Sequence, residues 1–287
     1  MNPHHCLLQP STERRSAFTL LELLAVLVVL ALLASILAPA LARTKPGNLA
    51  AQCLNNQRQL IIAWQMYGHD NNDCMPYNFH GGGTGSGGTG PYGWGEGWLD
   101  WSSASDNTNI NLLTGSQPSL GAYVAKASLY KCPADVFLSP TQRALGWTAR
   151  VRSVSGNIYL GPGNVSQGAT DPIYKQQLLK VGDLRFPAPS QTWVFLEEHP
   201  DSINDPAFFA PHQTSWIDLP AGYHDDANTV AFADAHVETH KWGASLTSIR
   251  IRSVAYADLG GVSVSSGDLD VEWLAYRTPR VSPTFTW

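Results

Sequence analysis

An apolar run from Phe18 to Ala38, broken by one ionisable residue, Glu22, constrains this chain more than any other feature. Its 21 residues, at about 1.5 Å each, make roughly 31 Å of helix, the thickness of a bilayer hydrocarbon core. A carboxylate inside such a helix costs at least about 2.5–3.5 kcal/mol, so it needs a partner. Nothing else in the run can neutralise it. A free α-amine on Phe18, four residues back, would do so if the chain were cut after Ala17. Two plainer readings compete. One is a secretory signal ending at Ala40-Leu41-Ala42, a small-x-small cleavage site, although that run exceeds the usual span of about 7–15 residues and leaves Glu22 unexplained. The other is a simple single-span anchor.

The stretch Ser16-Ala17-Phe18-Thr19-Leu20-Leu21-Glu22-Leu23 resembles the processing site of type IV prepilins and of the pseudopilins of type II secretion systems. That resemblance implies cleavage between Ala17 and Phe18 by a prepilin peptidase, methylation of the new amine, and use of Glu22 in assembly. Pro39 stands where many pilins carry proline, while Ala17 stands where the family strongly prefers glycine. The implied product is an inner-membrane-anchored periplasmic filament of a type II secretion or type IV pilus-like system. Its subunit would cross the bacterial inner membrane once, with the carboxyl-terminal body in the periplasm. The implied partners are the prepilin peptidase, other pseudopilin subunits, the inner-membrane platform of the secretion system and membrane lipid. No enzymatic activity is implied.

A net charge of −5 with 14% charged residues and no basic block removes the electrostatic footprint of a nucleic-acid binder. Arg14 and Arg15 on one side of the run balance Arg43 and Lys45 on the other, so charge alone does not orient a span. The expected organisation is a leader over 1–17, a transmembrane and assembly helix over 18–41, and an amphipathic continuation over 42–72. An exported body follows over 73–287, long enough for one sizeable core. The expected fold class is α+β, a long N-terminal membrane helix packing on an antiparallel sheet in the pilin manner, with extended loops.

Within that frame, Ala50, Cys53, Leu54, Leu60, Ile61, Trp64 and Tyr67 fall at helical spacing, opposite Asn55, Asn56, Arg58, Gln59 and Gln65. Lys45-Pro46-Gly47 predicts a kink or short break before them. His69-Asp70-Asn71-Asn72-Asp73 predicts a helix-ending turn, with calcium a sharper alternative. Ten glycines between Gly81 and Gly97 predict a mobile surface loop whose Tyr92, Trp94 and the following Trp98 either pin it to the body or offer a contact surface. A short helix is expected within 112–132. Strands are expected at 151–154, 157–160, 191–196, 228–232 and 236–242, the last two forming a hairpin across Ala233-Asp234-Ala235. The tail from Trp273 reads as loosely held.

Cys53, in Gln-Cys-Leu-Asn-Asn, and Cys132, in Lys-Cys-Pro-Ala-Asp, resemble stretches of large-bodied pseudopilin-like proteins of the Planctomycetes–Verrucomicrobia type. That likeness implies a Cys53–Cys132 disulfide with Cys74 free; the residues alone allow three small buried hydrophobes. His224 and Asp234 match the H-x9-D-G element of the same group, with Ala235 in place of its glycine. Together with Glu198, His199 and His236 they suggest a hydrogen-bonded clasp or a metal site, for Zn²⁺ if nitrogen ligands dominate and Ca²⁺ if oxygens do. His236 and His240 share a strand face about 13 Å apart, too far to hold one ion. No G-x-S-x-G or H-E-x-x-H motif supports an enzyme. A second function class is a membrane-anchored binding module, with the ten tryptophans forming a carbohydrate or peptide surface.

Overall fold

The structure is a computed structural model, describing residues 20–30, 47–81, 91–164, 172–175, 177–243, 246, 249–254, 261–285 and 287. The chain divides into two units, Met1–Gly47 and Asn48–Trp287. In the first, residues 20–30 are helical and their side chains, Glu22 included, are exposed. Ala17 and Phe18 lie outside the described residues. Among the described residues no helix is long and apolar enough to cross a membrane; the expected span lies among them only over 20–30.

The second unit opens with α1 (Gly47–Asp70), which starts directly after Pro46. Its buried residues Cys53, Gln57, Leu60, Ile61 and Trp64 follow the helical period and form one face. Asn71-Asn72-Asp73 ends it as a turn. The Asn71 amide donates back to the Tyr67 carbonyl at 2.8 Å, and Asn72 and Asp73 adopt φ of 56° and 66°, where short polar side chains are tolerated. A short helix, α2 (Asn111–Thr114), and a 3-10 turn (Ala127–Tyr130) replace the single helix expected within 112–132, and a further short helix, α3 (Pro140–Ala144), follows.

A five-stranded sheet lies at the centre: β1 (Val154–Asn157), β2 (Trp193–Glu197), β3 (Ala207–Phe208), β5 (Ala227–Phe232) and β6 (Val237–Lys241), in the order β3-β1-β2-β5-β6. A separate ribbon pairs β4 (Ser215–Trp216) with β7 (Val262–Ser263). The main sheet is mixed rather than antiparallel, because β1 and β3 run parallel through Gly156↔Ala207 and Asn157↔Phe208. After β2 the chain turns back, passes β1 and lands on its outer edge, so β3 runs against β2 and with β1.

Both faces of this sheet are covered. On one side Leu60, Ile61 and Trp64 of α1 meet Val194, Phe195 and Ala231 together with Trp94 and Tyr130. Trp94 stacks on Tyr130 with centroids 5.7 Å apart, and Gly156 makes room for it: a Cβ there would stand 2.7 Å from the indole nitrogen. The end of the glycine-rich segment is therefore pinned into the core; residues 82–90 lie outside the described residues. On the other side Trp193, Leu196, Val230 and Phe232 pack against Val271 and Leu274 of α4 (Leu269–Tyr276). Asp268 caps α4, accepting from the amides of Asp270 and Val271. The tail expected to be loose is thus a structural layer, with Thr278 fully buried and bonded to the Trp193 indole at 2.9 Å. Its polar and proline residues hid an eight-residue helix that only the opposite face of the sheet makes worth forming.

Candidate metal centre and the N-terminal segment

Four side chains from four separate segments converge where α1 meets the sheet. Cys53 stands in the second turn of α1. Cys132 follows the 3-10 turn Ala127–Tyr130, Glu197 ends β2, and His224 sits in the turn leading into β5. One ligand atom of each lies within 4.8 Å of all the others. His224 Nε2 is 3.2 Å from Cys132 Sγ and 3.9 Å from Glu197 Oε1.

The surroundings hold these groups in place. The Cys132 amide bonds Ser153 Oγ at 2.6 Å, and the turn after it closes through Asp135 N donating to the Cys132 carbonyl. Glu197 Oε2 accepts from the Thr229 amide of the neighbouring strand at 3.1 Å. Glu197 Oε1 is buried and has no hydrogen bond of good geometry; beside it stand the two thiols and the imidazole. Both thiols are buried and free of disulfide.

The electrostatics follow from burial without compensating charge. The hydrogen bond with Cys132, burial and the nearby Glu197 push the Cys53 thiol far above its ordinary range. Burial lifts the Glu197 carboxyl to about 7, against hydrogen bonds that pull it down, and lowers the His224 imidazole. Two sulfurs, one imidazole nitrogen and one carboxylate oxygen form the donor set of a four-coordinate transition-metal ion.

Of the residues foreseen for a single polar cluster, the structure brings only His224 to this place. Glu198, next to Glu197 on an extended backbone, points the other way. It accepts from Ser202 Oγ at 2.6 Å, and burial, followed by repulsion from Asp218, raises its pKa well above the carboxylate range. His199 lines a cavity of about 420 Å³ with Tyr223, Pro220 and Trp242, and its Nδ1 accepts from the Asp201 amide at 3.2 Å. Asp234 and His236 pair with each other at 2.5 Å on the exposed hairpin turn. The clasp of Glu198, His199, His224, Asp234 and His236 is therefore not formed, because strand alternation and the hairpin separate its members. Cys53 and Cys132 do meet, as thiols rather than as a disulfide. Glu197 was the residue missing from the expected set. Its signal was its place at the end of the apolar strand, where residues 197 and 198 must face opposite sides of the sheet.

Five of the ten tryptophans, Trp64, Trp94, Trp193, Trp216 and Trp242, are core residues, none more than 4% exposed, and are thereby withdrawn from any outer surface; Trp98, beside the glycine-rich segment, is 37% exposed.

Compared with known proteins, residues 13–38 match the family model of the prokaryotic N-terminal methylation motif. The N-terminus is prepilin-like. The matched segment contains Ala17, Phe18 and Glu22, and it supports a prepilin-peptidase substrate of the type IV pilin-like or pseudopilin type. No curated protein and no solved structure matches this prepilin-like chain.

Proposed function

We propose that this protein is a pseudopilin-like subunit that acts by assembly rather than catalysis. Prepilin peptidase removes Met1–Ala17 and methylates Phe18. The apolar helix then anchors the subunit in the bacterial inner membrane, with the body in the periplasm. During assembly Glu22 pairs with the methylated amine of a neighbouring subunit, which removes the cost of a buried carboxylate and sets the register between helices. The filament belongs to a type II secretion or type IV pilus-like system and rests on its inner-membrane platform. A mature body this large suits a minor, tip-like subunit better than a repeating shaft.

The observation that carries this reading is the methylation-motif match over residues 13–38, with Glu22 five residues into the mature chain. Support comes also from α1, whose apolar face packs on the sheet in the way a pilin body is built. Mass-spectrometric sequencing of the mature terminus tests it. Methylated Phe18 is expected; a chain starting at Arg43 would identify a secretory signal, and one starting at Met1 a plain anchor.

A further inference from the structure

We propose that Cys53, Cys132, Glu197 and His224 bind one Zn²⁺ as a structural site that fastens α1 to the sheet. The proposal does not depend on filament assembly and holds for any exported role of the body. Four protein ligands fill a tetrahedral shell and leave no open position, the mark of a structural rather than a catalytic zinc. Zn–S bonds of about 2.3 Å with Zn–N and Zn–O bonds of about 2.0–2.2 Å put tetrahedral ligand atoms roughly 3.3–3.8 Å apart. The observed 3.2 Å and 3.9 Å between His224 Nε2 and its two neighbours bracket that range. Two thiolates and an imidazole rule against Ca²⁺ and Mg²⁺, which take oxygen ligands.

The second observation is Glu197 Oε1, a carboxylate oxygen fully enclosed, with no hydrogen bond of good geometry and set among the two thiols and the imidazole. Its sister oxygen is already held by the Thr229 amide, so the carboxylate is oriented with one oxygen offered inward. Fixing a ligand through its other polar atom is how outer-shell contacts orient metal sites. A Cys53–Cys132 disulfide would use the sulfurs but leave that oxygen and the imidazole with nothing to hold. Zinc uses all four. Because the ligands come from positions 53, 132, 197 and 224, the ion would tie the helix nearest the N-terminal segment in sequence to β2, to the approach to β5 and to the loop at Cys132.

The test uses the full chain, purified in detergent without chelator, with elemental analysis, thiol counting after denaturation and thermal unfolding. One zinc per chain is expected, with a lower melting temperature after chelation that added zinc restores. Cys53→Ser and His224→Gln should each lose the zinc, while Cys74→Ser should keep it. If those variants fail to fold, Co²⁺ added to the chelated wild type decides. A tetrahedral cobalt spectrum with thiolate-to-metal charge transfer supports the site. A chain that takes up neither zinc nor cobalt, or whose mass shows a Cys53–Cys132 disulfide, overturns it.

Discussion

Ala235 shows how a single side chain can sit against its backbone. It holds φ at 74° in the β5–β6 hairpin, the left-handed region that favours glycine. Ala235 stands where an Asp-Gly turn would have glycine, and the backbone keeps the glycine-like conformation. Ala235→Gly is therefore expected to stabilise the protein by about 1 kcal/mol, seen as a higher urea midpoint with an unchanged slope. An unchanged or lower midpoint would mean the turn is relaxed with alanine. Glu197 and Glu198 teach a related lesson. They are adjacent in sequence, yet strand alternation sends one to the thiols and the other to Ser202, so proximity along the chain did not make a common site.

Between elements, the contact of β6 with α4 carries a pH signature. The His240 ring stacks on Trp273 at 3.7 Å and meets Trp242 edge-on at 4.5 Å. Burial, aided by the charge of Arg277, lowers its pKa from an ordinary 6.5 to about 4. The unfolded chain then binds the proton more readily than the folded one between these values. Stability from this group is complete above about pH 6.5 and is lost as pH falls toward 4. Partial exposure screens the effect, leaving about 1–2 kcal/mol at most. His240→Phe keeps the stacking and removes the proton site, so its melting temperature should fall less than that of wild type between pH 6.5 and 4. Parallel acid limbs would show that His240 does not govern this window.

For the whole molecule, the proposed function places assembly in one segment and folding in another. Glu22→Ala should leave cleavage before Phe18 largely intact and abolish multimers captured by crosslinking near Val26; normal multimers in that variant would defeat the pairing role of Glu22. The N-terminal reading was legible because its information is local: an apolar length, one carboxylate and the residues around Ala17-Phe18. The α1 stripe and strands β2, β5 and β6 were legible for the same reason, since periods of 3.6 and 2 are written into neighbouring residues, whereas one strand, β1, lies where two were expected at 151–154 and 157–160. The convergence of Cys53, Cys132, Glu197 and His224 was not, because no short spacing links ligands of which successive members lie 27 to 79 residues apart along the chain. The edge position of β3 and the packing of α4 were hidden likewise, since both depend on which face of the sheet is left to cover. The sequence by itself determined that this chain carries a prepilin-like N-terminus and a helix-on-sheet body. Only the tertiary structure decided which buried polar groups meet, because that depends on long-range strand order and on the side to which each side chain turns.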